Sequence, residues 1–199
     1  MMFDEALLSE LRRVLGDKIL SYEADDVPTI VVEAGELYDT VAALRDDESL
    51  AFTFLTSLFG MHYPAVGTAE GGGPAEGNVG EGRGAVENVR GEGAGSATTG
   101  RGDRLGLQVL LYNMRKGQRL RVTCSFPIES PEVKSLTPLF PAANWMERES
   151  YDFFGIRFAG HPNLKRILNI ETMTVFPMRK DFPLEDQSRD DKNDQMFGR

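Results

Sequence analysis

The fold of this chain is decided by one stretch, Asn144-Trp145-Met146-Glu147-Arg148-Glu149-Ser150-Tyr151-Asp152-Phe153-Phe154-Gly155-Ile156, which contains the only tryptophan. Its apolar side chains alternate with charged ones, so the pattern predicts a helix with one apolar side and one charged side. Gly155 is predicted to end the helix, because glycine readily adopts the left-handed conformation that closes a last turn. We therefore expect the rest of the domain to pack against the apolar side.

A sharp bend is predicted after this helix, since Pro162 disfavours a helical conformation at His161. Asn163 is expected to cap a brief turn that follows. We expect the apolar side chains of this turn to point inward and its basic ones outward, that is Leu164, Ile167 and Leu168 against Lys165 and Arg166.

Two motifs in this region can be compared with a known family. The first motif comprises Glu147-Arg148-Glu149, Tyr151-Asp152-Phe153-Phe154-Gly155-Ile156, Gly160-His161-Pro162 and Arg166-Ile167-Leu168; the second is Pro177-Met178-Arg179-Lys180-Asp181-Phe182-Pro183-Leu184. In content, order and spacing they resemble the C subunit of the respiratory NADH–quinone oxidoreductase, complex I. The family commonly has tryptophan at Phe140, leucine at Met178 and tyrosine at Phe182, and these differences keep bulk and apolarity.

The resemblance implies a role inside a larger assembly. That assembly passes electrons from NADH through FMN and iron–sulfur clusters, all in partner subunits, to quinone, and it couples this transfer to proton or cation translocation. The resemblance implies a cofactor-free structural subunit without catalytic residues, placed against the D subunit and near the B and I subunits. Its expected location is the cytoplasmic side of the bacterial cell membrane, as a peripheral protein. The corresponding component of a membrane-bound hydrogenase or of another donor dehydrogenase is the alternative.

Composition agrees with a subunit of this kind and excludes other classes. The 31 acidic residues outnumber the 22 basic ones, and a net charge of −9 argues against a general nucleic-acid binder. Cys124 is the only cysteine, which excludes an internal disulfide and, for this chain alone, an iron–sulfur cluster with its roughly four cysteine ligands. We expect Cys124 to be a buried small residue. No apolar run approaches the roughly 20 residues that cross a bilayer, so we expect a cytosolic protein that reaches the membrane through partners.

The order of elements predicts an α+β fold with two layers, a small mixed sheet covered by helices on one face, and an extended, strand-like C-terminal arm. Helical spacing occurs in residues 4–16 and 35–47, and two hairpins are predicted, one joining 19–23 to 29–33 and one joining 105–112 to 120–126. Residues 49–63 are buried, but strand and helix both fit them. A short helix is expected from Ser130 toward Leu136.

One segment divides the predicted domain. Residues 65–102 hold 13 of the 21 glycines and no Leu, Ile, Met or aromatic residue, so they are predicted to form a disordered insertion. Their glycines lack the strand, helix and Lys-Ser/Thr ending of a phosphate-binding loop. We therefore expect residues 1–64 and 103–176 to form a single domain, followed by an extended arm and polar tail at 177–199.

Residue types suited to a metal or acid–base site also occur, namely Glu147, Glu149, Asp152, His62 and His161. Glu147 and Glu149 are two residues apart and so diverge on a helix, which argues against a small metal-dependent enzyme using them with His161. The better account is that these carboxylates accept hydrogen bonds from neighbouring backbone groups, from Arg166 or from the basic side chains of a partner. The docking residues that we predict are Glu147, Arg148, Glu149, Asp152, His161, Arg166, Arg179, Lys180 and Asp181.

Overall fold

The computed structural model describes residues 5–24, 26–64 and 103–182, so the predicted insertion at 65–102 and most of the predicted tail lie outside the described residues. The described helices are α1 (Glu5–Leu15), α2 (Leu37–Asp46) and α3 (Ala143–Phe154). The described strands are β1 (Ser21–Ala24), β2 (Pro28–Val31), β3 (Phe54–Tyr63), β4 (Arg104–Asn113), β5 (Gln118–Pro127), β6 (Glu132–Lys134) and β7 (Arg157–Ala159).

Five strands form a mixed sheet in the order β1-β2-β5-β4-β3, in which β2 and β5 are parallel and the other neighbours are antiparallel. Both predicted hairpins are confirmed, β1 with β2 and β4 with β5. The apolar stretch whose conformation was open contains β3, an edge strand paired with β4. Leu58 and Gly60 of β3 are buried, whereas Phe59 between them is exposed, which is the alternation of a strand with one face on a core.

The prediction of a helix after Ser130 is wrong. Glu132–Lys134 instead forms β6, which pairs in parallel with β7. The Arg157 N–H donates to the Pro131 carbonyl at 2.7 Å and the Ser135 N–H to the Ala159 carbonyl at 2.9 Å. This segment is too short to hold a helix by itself. Its backbone hydrogen-bonding groups are instead paired with a strand more than twenty residues away.

All three helices contribute side chains to one buried cluster, which also contains the side chains of one face of the sheet. This arrangement confirms the two-layer α+β prediction. From the helices it includes Leu11, Val41 and Ala143, and from the sheet Ile30, Leu58, Leu107, Val109, Val122 and Cys124. Cys124 is fully buried as predicted, and burial raises the pKa of its thiol to about 12.

Helix α3 ends against the edge strand β3. A Cβ atom at Gly60 would lie 2.7 Å from Phe154 Cδ2 and 2.9 Å from Ile156 Cδ1, so the absent side chain of Gly60 lets the end of the helix approach the sheet. This contact fixes where the first family motif sits relative to the core.

Candidate functional site

Helix α3 is formed and ends as predicted, but its sides are distributed differently. Glu147, Ser150 and Asp152 are buried, whereas Trp145 is 61% exposed. The prediction that the apolar side of α3 faces inward is therefore wrong at Trp145, the largest residue of that side. Polar groups can face inward here because each has a defined partner from a later or earlier segment of the chain.

Glu147 joins α3 to the segment after β6. Its carboxylate accepts hydrogen bonds from the Ser135 hydroxyl at 2.7 Å and from the Leu136 N–H at 2.6 Å. Burial raises the pKa of Glu147 to about 7, against the lowering effect of these two donors. The predicted internal role for this carboxylate is confirmed, and the side chain is not on the surface.

Asp152 organises the turn that follows β7. One carboxylate oxygen accepts the consecutive N–H groups of Ile167, Leu168 and Asn169 at 2.8–3.1 Å. The other accepts from the Arg166 guanidinium at 2.7 Å and from the Asn169 side-chain amide at 3.0 Å. Burial acts to raise the pKa of Asp152, but these donors outweigh it and hold the pKa well below its usual range.

This arrangement reverses part of the prediction for the turn. The Arg166 side chain is only 6% exposed and Leu168 is 64% exposed, so the expected basic-out, apolar-in orientation is wrong at both residues. The reason is that the buried carboxylate of Asp152 attracts the guanidinium inward, and the neighbouring apolar side chain is left outside.

The second family motif packs against the end of α3. Gly155 has a φ of +77°, and a Cβ there would lie 2.6 Å from Phe176 Cζ and 2.7 Å from Arg179 Nη2. The Arg179 Nε–H donates to the Phe154 carbonyl at 2.7 Å, and its guanidinium lies 4.4 Å from the centre of the Phe176 ring. Burial lowers the pKa of Arg179. The arm passes through turns at this point rather than through the expected strand-like conformation.

His62 holds the arm at a second point. Its Nδ1 accepts the Lys180 N–H at 2.8 Å, and its Nε2 lies 3.7 Å from a carboxylate oxygen of Asp103. Asp181 lies 3.9 Å from Nδ1. The sequence carries no local signal of this contact, because His62 and Lys180 are 118 residues apart.

His161 lies at the bend, and its ring caps the turn. Its Nδ1 accepts the Asn163 N–H at 3.0 Å and its Nε2 lies 3.2 Å from the Asn144 carbonyl oxygen. Glu149 is exposed and Glu147 is buried, so the three residues of the metal-enzyme alternative do not converge. Within residues 5–24, 26–64 and 103–182, no group of three His, Cys, Asp or Glu side chains is placed to hold a metal ion.

The surface around α3 is formed by side chains that the motifs leave outside. Arg148 lies 5.2 Å from the centre of the Trp145 ring, and its guanidinium donates to the Lys165 and Arg166 carbonyls at 3.0 and 3.3 Å. We call the following residues the α3 surface: Trp145, Arg148, Leu168, Ile170, Val175 and Met178. Its five apolar members are each 44–72% exposed, and exposed apolar residues that are grouped in one region are typical of interaction sites. Sequence reasoning missed these five: it placed Trp145 on the apolar side of the helix, predicted Leu168 to point inward, and gave the other three no place on a surface.

Three of the predicted docking residues have side chains that are buried beneath the surface and position the residues on it, namely Glu147, Asp152 and Arg166. Arg179 anchors the arm. Glu149, Lys180 and Asp181 are exposed, and Arg148 and His161 are half-buried. The docking role of all nine stays a prediction.

The comparisons with known proteins agree with the two motifs. The family model described as "Respiratory-chain NADH dehydrogenase, 30 Kd subunit" matches residues 30–188. The chain belongs to this family. The NADH-quinone oxidoreductase C subunit of Polynucleobacter asymbioticus is 35% identical over 180 residues, covering 89% of this chain and 76% of the relative. Its counterpart in Ralstonia nicotianae is 33% identical over 180 residues, with the same coverage.

The fold has a solved counterpart in a more distant complex. A chain in the structure of a membrane-bound sulfane sulfur reductase, an archaeal respiratory membrane complex, matches with a TM-score of 0.56 and 18% identity over 90% of this chain and 85% of that one. At this identity the match concerns the fold alone. In the part of the chain that the structure describes, none of the helices has the length and apolarity to span a membrane. The family makes this chain a subunit of complex I, an oxidoreductase assembly.

Proposed function

We propose that the chain is a structural subunit of the hydrophilic arm of complex I, without a redox cofactor of its own, and that it docks against the D subunit near the B and I subunits. In the assembly, electrons pass from NADH through FMN and iron–sulfur clusters of the partner subunits to quinone, coupled to proton translocation. The chain works at the cytoplasmic side of the bacterial membrane and reaches the membrane through its partners.

The observation that carries this proposal is the exposed apolar character of the α3 surface. Trp145 presents a ring whose neighbour Arg148 is fixed by two carbonyl groups, so both arrive at an interface with little conformational freedom left to lose. Trp and Arg are also the residue types most enriched among the energetic centres of interfaces. The buried bonds of Asp152 hold Leu168 beside them in a fixed place.

The absence of a cofactor is proposed on chemical grounds. The chain has one cysteine, whereas iron–sulfur clusters take about four. Cys124 is buried in the core cluster, where burial strongly disfavours the thiolate that ligates metals. Iron and flavin analysis of the purified subunit is expected to find neither, and one iron or flavin per chain would contradict this part.

The docking proposal is tested by assembly. We expect Leu168→Ser with Ile170→Ser to reduce recovery of the D subunit with the tagged chain, and membrane NADH–quinone activity, at least fivefold, because truncating central interface contacts costs about 1–4 kcal/mol. Met114→Ser is the matched control, since Met114 is 65% exposed on the turn between β4 and β5. The melting temperature of the free subunit should be unchanged in both. Wild-type assembly of the double variant would contradict the docking surface.

A further inference from the structure

The sheet has a second face, opposite the helices, that the α3 surface does not use. The strand register places Arg121 of β5 opposite Leu110 of β4 and Thr29 of β2, and Thr123 opposite Gln108. None of the larger apolar residues on this face belongs to the buried core cluster: Val31, Phe59, Met61, Tyr63, Leu110 and Tyr112. We call this side the arginine face, after Arg104, Arg119 and Arg121.

Three polar atoms on this face have no hydrogen-bond partner in the described part of the chain. They are Arg104 Nε, Arg121 Nε and the Thr123 hydroxyl, and all three are buried. Another nitrogen of the Arg104 guanidinium donates to Ser125 Oγ at 3.0 Å, which fixes the orientation of the group. Buried donors of this kind normally have an acceptor, and in the described part of the chain the Nε–H of each of these two guanidinium groups has none.

The charges on the face define the missing acceptor. The register also places Arg119 on this face, opposite Tyr112, and Glu23 of β1 on it at the far edge, opposite Thr29. Among the described strand residues on this face, three arginines stand against one carboxylate, so the face is basic although the net charge of the chain is −9. A carboxylate can accept from two N–H groups of one guanidinium at once. A nucleic acid is disfavoured, because the net charge of the whole chain repels phosphates.

Aromatic side chains lie beside the arginines. Phe59 and Tyr63 on β3 are each 39% exposed, and Tyr63 covers Gly106, where a Cβ would lie 2.6 Å from its ring. Arginine and aromatic residues are enriched at the centres of protein interfaces. The face thus combines apolar area with oriented donors, which suits a protein segment better than a free anion.

We propose that the arginine face binds an acidic segment of another subunit of complex I, with carboxylates on Arg104 and Arg121. This inference rests on the proposed function, and it gives the chain a second contact, on the opposite side of the sheet from the helices. The subunit would then bridge two neighbouring chains rather than attach to one.

The test uses the native complex and a photoreactive benzoylphenylalanine in place of Phe59. We expect a crosslinked peptide from another complex I subunit that contains clustered Asp or Glu, and no such peptide when the same probe replaces the exposed Leu20 at the far edge of the sheet. A crosslink only to residues 65–102 of the same chain, or none, would overturn the proposal.

Charge reversal supplies the second arm of the test. Arg121→Glu should lower the yield of intact complex at least fivefold, and replacing an acid of the crosslinked peptide by lysine should restore it. Arg157→Glu, at an exposed arginine on β7, should leave the yield unchanged. If Arg121→Glu does not fold, Arg121→Gln with an unchanged melting temperature takes its place. A wild-type yield of intact complex with the Arg121 variant would contradict the inference. A wild-type chain that recovers none of the other complex I subunits would contradict the proposed function instead.

Discussion

The Arg179 Nε–H donates to the carbonyl oxygen of Phe154 at 2.7 Å, where α3 ends. A cation at this position also offsets the partial negative charge at a helix C-terminus. The contact needs Gly155, since a Cβ there would overlap the guanidinium. One side chain of the second motif thus closes the helix of the first, so the two motifs form a single structural unit.

Arg179→Ala should therefore destabilise the free subunit by about 1–2 kcal/mol, through loss of the charged hydrogen bond and of the stacking on Phe176. Lys180→Ala, the adjacent exposed residue, should change stability by less than about 0.5 kcal/mol. Urea unfolding midpoints compare the two. Equal midpoints for the two variants would contradict a stabilising role of Arg179 in the free chain.

The His62 contact predicts how the arm is held. Asparagine at position 62 can place an oxygen near the Nδ1 position, so His62→Asn should keep the Lys180 amide protected, whereas His62→Leu should speed its hydrogen exchange about tenfold, the cost of one lost acceptor. The Gly117 amide, bonded to the Asn113 carbonyl in a distant turn, is the internal control. Equal protection in the leucine variant would mean that other contacts hold the arm.

The sequence predicted those parts of the fold that depend on local patterns. The two hairpins and the glycine that ends α3 depend on signals within a few residues, and all three predictions are confirmed. The period of β3 was hidden because apolar residues occur on both of its faces, the outer ones on the arginine face. A strand that is buried on one side and apolar on the other shows no polar alternation.

The candidate site was harder to predict because its bonds join distant residues. A periodicity count assigns Trp145 inward and Glu147 outward, and it contains no information on Ser135 or Leu136, the partners that make a buried glutamate tolerable. The orientation of Arg166 depends in the same way on Asp152, 14 residues earlier. Exposed apolar residues then follow as a consequence, since the space that they would fill is taken by polar groups.

Asp152→Asn should be the most destabilising of the variants considered for α3. It keeps the size of the side chain but leaves the Arg166 guanidinium buried without a counter-charge, for which about 3–5 kcal/mol is typical. The folded-state pKa of Asp152 lies below its unfolded value of about 3.9, so its stabilisation is present above that value and is lost as the pH falls through the folded pKa. The difference in unfolding free energy between wild type and Asp152→Asn, measured with urea, should be smaller at pH 3 than at pH 7. An equal difference at both pH values would contradict the charge-based explanation.

Glu147 should have the opposite pH dependence. Its pKa is raised to about 7 in the folded state, above the unfolded value of about 4.3, so its contribution is fully present below the unfolded value and is lost as the pH rises through about 7. Between pH 5 and pH 8 the unfolding free energy of wild type should then fall by up to roughly 3 kcal/mol relative to that of Glu147→Gln. The glutamine stays neutral, its oxygen can accept the Leu136 N–H, and its amide can donate to the Ser135 hydroxyl. Glu149→Gln, at the exposed glutamate two residues along the helix, should follow the wild-type curve. Urea midpoints across this pH range decide the matter: parallel curves for wild type and Glu147→Gln would show that the buried carboxyl does not titrate on folding.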